Sequence, residues 1–229
     1  FIVLICVYKM MQVKTLRRIV FYIVTIVCNL FALYLSGSRT AWIPFVVTIP
    51  FMFLINKRFA YFTASMAGIG GAGLLVLLEP KLMQRATIFQ DFAKRSNIWE
   101  TAIKGIQAHP LLGEGPLTYF HIYKQYHGHP TQHAHSVYLD PILSHGIIGV
   151  ILAGIYLAGN LKEVYLLLKR RIDLRLFSLI AAFILTVLIH GILDYTVYWV
   201  QTGMLFLIVL SASSMYFHKE QPYVLQEEN

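Results

Sequence analysis

Six apolar stretches, each close to the length of a membrane-spanning helix, follow one another along this chain, and the connections between them alternate in charge. They run roughly over residues 18–36, 41–55, 59–78, 137–159, 176–193 and 199–216. About 20 apolar helical residues cross ~30 Å of hydrocarbon. Of 229 residues, 57% are hydrophobic and 13% charged, where soluble chains carry about a quarter charged. A water-soluble fold of this size would not hide so much apolar surface, so the bilayer is the solvent. Lipid offers no hydrogen bonds to the backbone, which favours helices that satisfy their own. The expected fold is therefore all-α, a polytopic transmembrane helix bundle. The second stretch is short and holds Pro44 and Pro50, which predicts a kink or a partly re-entrant segment.

The charges give a topology. Lys9, Lys14, Arg17 and Arg18 form one basic connection, and Lys57 and Arg58 a second. Lys162, Lys169, Arg170, Arg171 and Arg175 form a third, and Lys219 lies in the tail. These are 12 of the 19 basic residues, and the positive-inside rule assigns such connections to the cytoplasm. Residues 37–40, 79–136 and 194–198 are then extracytoplasmic. The net charge of +8 is accounted for by topology. Split among short loops, it makes no basic face of the kind that binds nucleic acid. The segment 1–8 is too short to span, and the chain reads as the C-terminal part of a longer membrane protein. Cys6 and Cys28 both lie in apolar runs and read as buried thiols rather than a disulfide pair. Gly68, Gly70, Gly71 and Gly73, and separately Gly146, Gly149, Ala153 and Gly154, read as small-residue faces for close packing.

The loop 79–136 has structure of its own. Phe92, Arg95, Trp99, Ala102, Ile103 and Ile106 fall near one face of an amphipathic helix over 92–108. His109-Pro110 ends it, and Leu111-Leu112-Gly113-Glu114-Gly115-Pro116 is a turn. Seven histidines follow in close order: His109, His121, His127, His129, His133, His135 and His145. The His-x-His spacings raise the question of a metal, since imidazole is a common zinc ligand. With no cysteine in the loop, no carboxylate pair and no His-Glu-x-x-His helix, none is expected. A general base is the better use, because an unperturbed imidazole is mostly neutral at pH 7–8 and changes charge at little cost.

Two arginines stand out. Arg39 lies in Ser36-Gly37-Ser38-Arg39-Thr40, at the tip of a tight hairpin, as an interfacial anchor or as an anion site. A guanidinium holds phosphate oxygens through paired hydrogen bonds. Arg95 lies one turn before Trp99 on the loop helix. Lys81, Arg85 and Lys94 read as headgroup contacts. Among secondary candidates, Asp194 and His190 flank the last outer hairpin, where a carboxylate orients a histidine, pairs with an arginine or sits in a wet turn. Asp140 begins the span after His135, where a first-turn carboxylate is favoured by the helix dipole alone. His133 is expected to tolerate change far better than His135.

These residues resemble the O-antigen ligase and polymerase superfamily, membrane glycosyltransferases that act on polyprenyl-diphosphate-linked glycans. The likeness rests on Ser38-Arg39-Thr40-Ala41-Trp42 and on Arg95 to Trp99 followed by His109-Pro110-Leu111-Leu112-Gly113-Glu114-Gly115. It rests further on His135-Ser136, nine residues and Gly146-Ile147-Ile148-Gly149, and on the segment from His190 to Asp194. The resemblance implies transfer or polymerisation of a lipid-linked glycan at the outer face of a bacterial cytoplasmic membrane, with no cofactor or metal and with inversion at the sugar. It places Arg39 and Arg95 on the diphosphate and makes His135 the base. The partners implied are a polyprenyl-diphosphate glycan donor, a glycan or lipid acceptor and the bilayer, with no nucleic acid. A transporter with a histidine-rich cation-binding loop is the alternative. It requires ionisable residues deep in several spans, whereas the charges here gather at span ends. A non-catalytic scaffold or sensor would leave each outer arginine individually dispensable.

Overall fold

The computed structural model describes residues 1–38, 40–79 and 88–217, with side chains from residue 92 in the last stretch. Arg39, Lys81, Arg85 and Lys219 lie outside the described residues.

The described residues form helices and no strands. In chain order they are α1 (Ile2–Met10), α2 (Leu16–Leu35), a 3-10 turn (Thr40–Trp42), α3 (Ile43–Ile55), α4 (Phe59–Leu78) and α5 (Ile88–Ala108). There follow α6 (Thr118–Ile122), α7 (Asp140–Lys169), α8 (Leu174–His190), α9 (Val200–Ser211) and a 3-10 turn (Ala212–Tyr216). Among the described residues α2, α4 and α7 are long and apolar enough to cross a membrane; Thr40–Ile55, α8 and Val200–Tyr216 are shorter apolar helices. α3 runs through Pro50 as a single helix, with Pro44 in its first turn, where a missing N–H costs little.

The main core joins α1, α3, α7, α8 and α9 through residues such as Leu4, Met52, Leu167, Ile180 and Phe183. α2 and α4 have no buried residue. The glycines at 68, 70, 71 and 73 meet nothing within 4 Å, so the close packing expected of them is not made among the described residues. Such apolar, exposed helices match a lipid surrounding.

The two ends of the bundle differ in chemistry. At one, Arg58 Nη2 donates to the Met11 carbonyl and the Tyr216 hydroxyl to Asp173; the basic connections collect there. At the other, Thr40 meets His190 and the Val137 amide donates to the Gly191 carbonyl. The described part of the long loop leads into this second end at Val137.

α7 carries a break that sets how the loop docks. Gly146 lies at φ 65°, ψ −177° within it. The N–H groups of Ile147 and Ile148 turn outward to the carbonyls of Pro110 and Leu111, and the Gly115 amide donates to the Ser144 carbonyl. A Cβ on Gly146 would lie 2.1 Å from the Leu111 carbonyl oxygen, and one on Gly113 2.5 Å from the Ser144 carbonyl carbon. The two glycine-containing motifs are thus halves of one joint. This corrects the expected helix–helix face at Gly146, whose neighbour is a turn of the loop. Gly154 meets nothing within 4 Å.

Candidate active site

α5, α6 and the start of α7 build a second small core from Ile98, Ala102, Tyr119, Ile122, Ala134 and Leu143, and the histidine-bearing segment is stretched over it. α5 is longer than the periodicity indicated, beginning at Ile88. Its Asn97 braces the segment: Oδ1 accepts the His129 amide at 2.6 Å and Nδ2 donates to the His127 carbonyl at 3.4 Å. The Tyr119 hydroxyl donates to the His129 carbonyl at 3.1 Å. Gly128 fits between Thr101 and that hydroxyl, where a Cβ would come within 2.6 Å of Thr101 Oγ1. Sequence reasoning missed α6 and this brace. A five-residue helix gives no periodic signal, and an asparagine's partners are invisible until the chain folds back.

Beyond the brace the chain turns sharply. His135 lies at φ 45°, a region that costs a non-glycine residue roughly 1–3 kcal/mol unless its surroundings hold it there. Three groups do. Asp140 Oδ1 accepts the Ala134 amide at 2.6 Å, His133 Nδ1 accepts the His135 amide at 3.1 Å, and Ser136 Oγ accepts the amides of Tyr138 and Leu139. Ser136 therefore serves the backbone of the turn, and α7 starts at Asp140 rather than at Val137. Strain held this way is a mark of functional sites.

The His135 ring is fixed on both nitrogens: Nδ1 lies 3.0 Å from Asp194 Oδ1 and Nε2 lies 3.1 Å from Thr131 Oγ1. Burial alone would raise the Asp194 carboxyl. The hydrogen bonds from His135 and from the Tyr195 amide, with the neighbouring histidine charges, outweigh it and hold the carboxyl well below the usual carboxylate range. Ionised at neutral pH, Asp194 only accepts, so Nδ1 carries a proton towards it, and in the neutral imidazole Nε2 is the nitrogen without one. Of the three arrangements left open for Asp194, the geometry is that of a carboxylate against a histidine. The pairing spans 59 residues, which no spacing rule reveals.

His133 is buried, with its ring 4.3 Å from that of His135 and 4.6 Å from that of Tyr198. Burial foremost, then the charge of His135, pushes its imidazole down to about 4, with Arg95 adding to the effect and Asp194 opposing it. The residue expected to tolerate change is a neutral support beneath the candidate base. His190 is held at both ring nitrogens, by Thr40 Oγ1 at 3.3 Å and Thr196 Oγ1 at 2.7 Å. It ties the hairpin that carries Arg39 in sequence to the segment that carries Asp194.

Arg95, Lys94, Ile98, His129 and His135 line a pocket of about 150 Å³. Arg95 Nη1 is buried and has no hydrogen-bond partner among the described residues. An unpaired buried donor costs about 1–3 kcal/mol, and more when charged, so such an atom asks for a ligand. A guanidinium and an ammonium beside a basic nitrogen suit an anion that departs as a proton is taken up. Arg39 lies outside the described residues. Of the seven histidines, the structure joins His133 and His135 and sets His129 nearby, while His121 and His145 are exposed elsewhere and His109 Nε2 pairs with Glu114 Oε1 at 2.7 Å. His133, His135 and Asp194 also offer ligand atoms within 4.8 Å of one another, a spacing open to a metal ion.

Compared with known families, residues 24–154 match the one described as O-antigen ligase. No curated protein and no solved structure matches the chain. The matched residues are more than half of the chain, running from α2 into α7 and taking in Arg95, the joint at Gly113 and Gly146, and His135; Asp194 lies beyond them. The chain belongs to the O-antigen ligase family.

Proposed function

We propose that the protein is a metal-independent, inverting glycosyltransferase that moves or polymerises a polyprenyl-diphosphate-linked glycan at the outer face of a bacterial cytoplasmic membrane. The observation that carries this reading is the His135–Asp194 pair beside a pocket that His135 lines together with Arg95, whose Nη1 has no hydrogen-bond partner among the described residues. The diphosphate leaves as an anion, so cations near its oxygens matter more than an acid. Arg95 supplies one and Arg39 a second, a fixed charge of the kind worth roughly 10²–10³-fold in rate. His135 takes the proton of the acceptor hydroxyl, worth roughly 10²–10⁴-fold. Asp194 orients the imidazole and balances the imidazolium. Asp140 and His133 hold the strained turn, and His190 holds the hairpin against the site.

The basic end of the bundle faces the cytoplasm in this reading, and the six apolar segments span the membrane. An apolar crevice of about 750 Å³ between α7, α8 and α9 is lined in part by Tyr195, the neighbour of Asp194. It suits the polyprenyl tail. The His133, His135 and Asp194 trio favours one rival, a cation-binding loop, and a chelator separates the two.

Deleting the gene and weighing the lipid-linked glycans that accumulate tests the reading. Accumulated single repeats identify a polymerase, and accumulated finished chains a ligase. Complementation with native protein clears them and H135A or R95A does not. No change in lipid-linked glycans on deletion would refute the assignment.

A further inference from the structure

The second ring nitrogen of His135 has a hydroxyl of the protein itself as its neighbour. Asp194 holds Nδ1, the His133 ring lies against the imidazole at 4.3 Å, and Thr131 Oγ1 stands 3.1 Å from Nε2. Since Nε2 is bare, the Thr131 hydroxyl donates to it. Among the described residues that leaves the two lone pairs of Oγ1 available to accept, on a half-buried residue.

Thr131 is poorly placed to swing aside. It follows Pro130, whose ring fixes φ. His129, one residue earlier, is pinned at its amide by Asn97 and at its carbonyl by Tyr119. A β-branched side chain has few χ1 choices. An acceptor hydroxyl that hydrogen-bonds to Oγ1 is linked to Nε2 through that one hydroxyl.

We propose that Thr131 relays the proton between the acceptor hydroxyl and His135. The acceptor oxygen bonds to C1 of the donor sugar while the bond from C1 to the diphosphate oxygen breaks, its electron pair leaving with the diphosphate. The acceptor proton passes to Thr131 Oγ1 as Thr131's own proton passes to His135 Nε2. Threonine ends neutral, and the imidazolium is balanced by the Asp194 carboxylate until it loses the proton to water. This step rests on His135 being the general base of the proposed reaction.

Turnover by the intact protein with lipid-linked donor and acceptor tests it, comparing T131V, T131S and H135A. T131V removes the hydroxyl and keeps the shape. It is expected to lower kcat about 10- to 100-fold with donor KM unchanged, while T131S recovers most of the rate. Rates in mixtures of light and heavy water should curve with isotope fraction in the native protein, as two moving protons require, and fall on a straight line in T131V. T131V turning over within threefold of native while H135A is dead would overturn the relay and leave the base in place. An active H135A would remove the base itself, and the relay with it.

Discussion

Replacing Asp194 with asparagine keeps the shape of the side chain and removes one charge, at a point where the structure allows the cost to be worked out. Asp194 Oδ1 sits 3.0 Å from His135 Nδ1 and also accepts the Tyr195 amide at 2.8 Å. Both side chains are about 30% exposed or less, so neither bulk-water nor dry-interior electrostatics applies. A hydrogen bond involving a charged group contributes about 1.5–3 kcal/mol. That bond strengthens as His135 becomes an imidazolium, so its loss falls on the transition state. At 1.4 kcal/mol per factor of ten, D194N should lower kcat about 10- to 150-fold. The amide adds a second penalty: if its NH₂ faces Nδ1, the imidazole proton moves to Nε2 and the base is lost. The assay is transfer by purified protein at saturating donor, with membrane abundance measured alongside. A D194N rate within threefold of native, at equal abundance, would refute the orienting role.

Three further outcomes follow from the same geometry. The His133 imidazole ordinarily titrates near 6.5 and is pushed to about 4 by burial. The unfolded chain therefore takes up this proton first, so its share of stability is whole above pH 6.5 and lost as pH falls towards 4. That is about 3 kcal/mol, read as a falling Tm in detergent between pH 7 and 4.5, and H133Q should flatten the slope. G146A forces a Cβ to 2.1 Å from the Leu111 carbonyl oxygen at φ 65°; it should cost roughly 3 kcal/mol or more and show as lost protein in the membrane, whereas G154A, with nothing within 4 Å, should not. Transfer should be unchanged by EDTA, and a loss restored by zinc would turn the His133, His135 and Asp194 trio into a metal site.

The all-helical fold was legible because apolar run length is a direct physical consequence of the solvent. Helices stand at or near every apolar stretch, and α4 lies at residues 59–78 as the sequence indicates. Boundaries shifted where side chains and charges intervene. α7 begins at Asp140 because Ser136 occupies the amides before it, and runs to Lys169, past the apolar stretch that ends at 159. The sequence named His135, Asp194 and Arg95 as candidates and the structure sets Asp194 and Arg95 beside His135, but the wiring between them could not be read from it. The His135–Asp194 hydrogen bond spans 59 residues, Asn97 reaches 32 residues to the His129 amide, and Thr131 carried no signal beyond proximity to a histidine. Contacts of this kind depend on loop closure, for which a linear sequence has no period. Arg39, the clearest cation in the sequence, stays a candidate on sequence alone.

The base role of His135 is tested most directly by single-turnover transfer from a polyprenyl-diphosphate glycan to acceptor by the purified H135A protein, with donor binding measured in the same preparation. The account predicts donor binding close to native and transfer slowed at least 100-fold. Transfer by H135A at the native rate would contradict it.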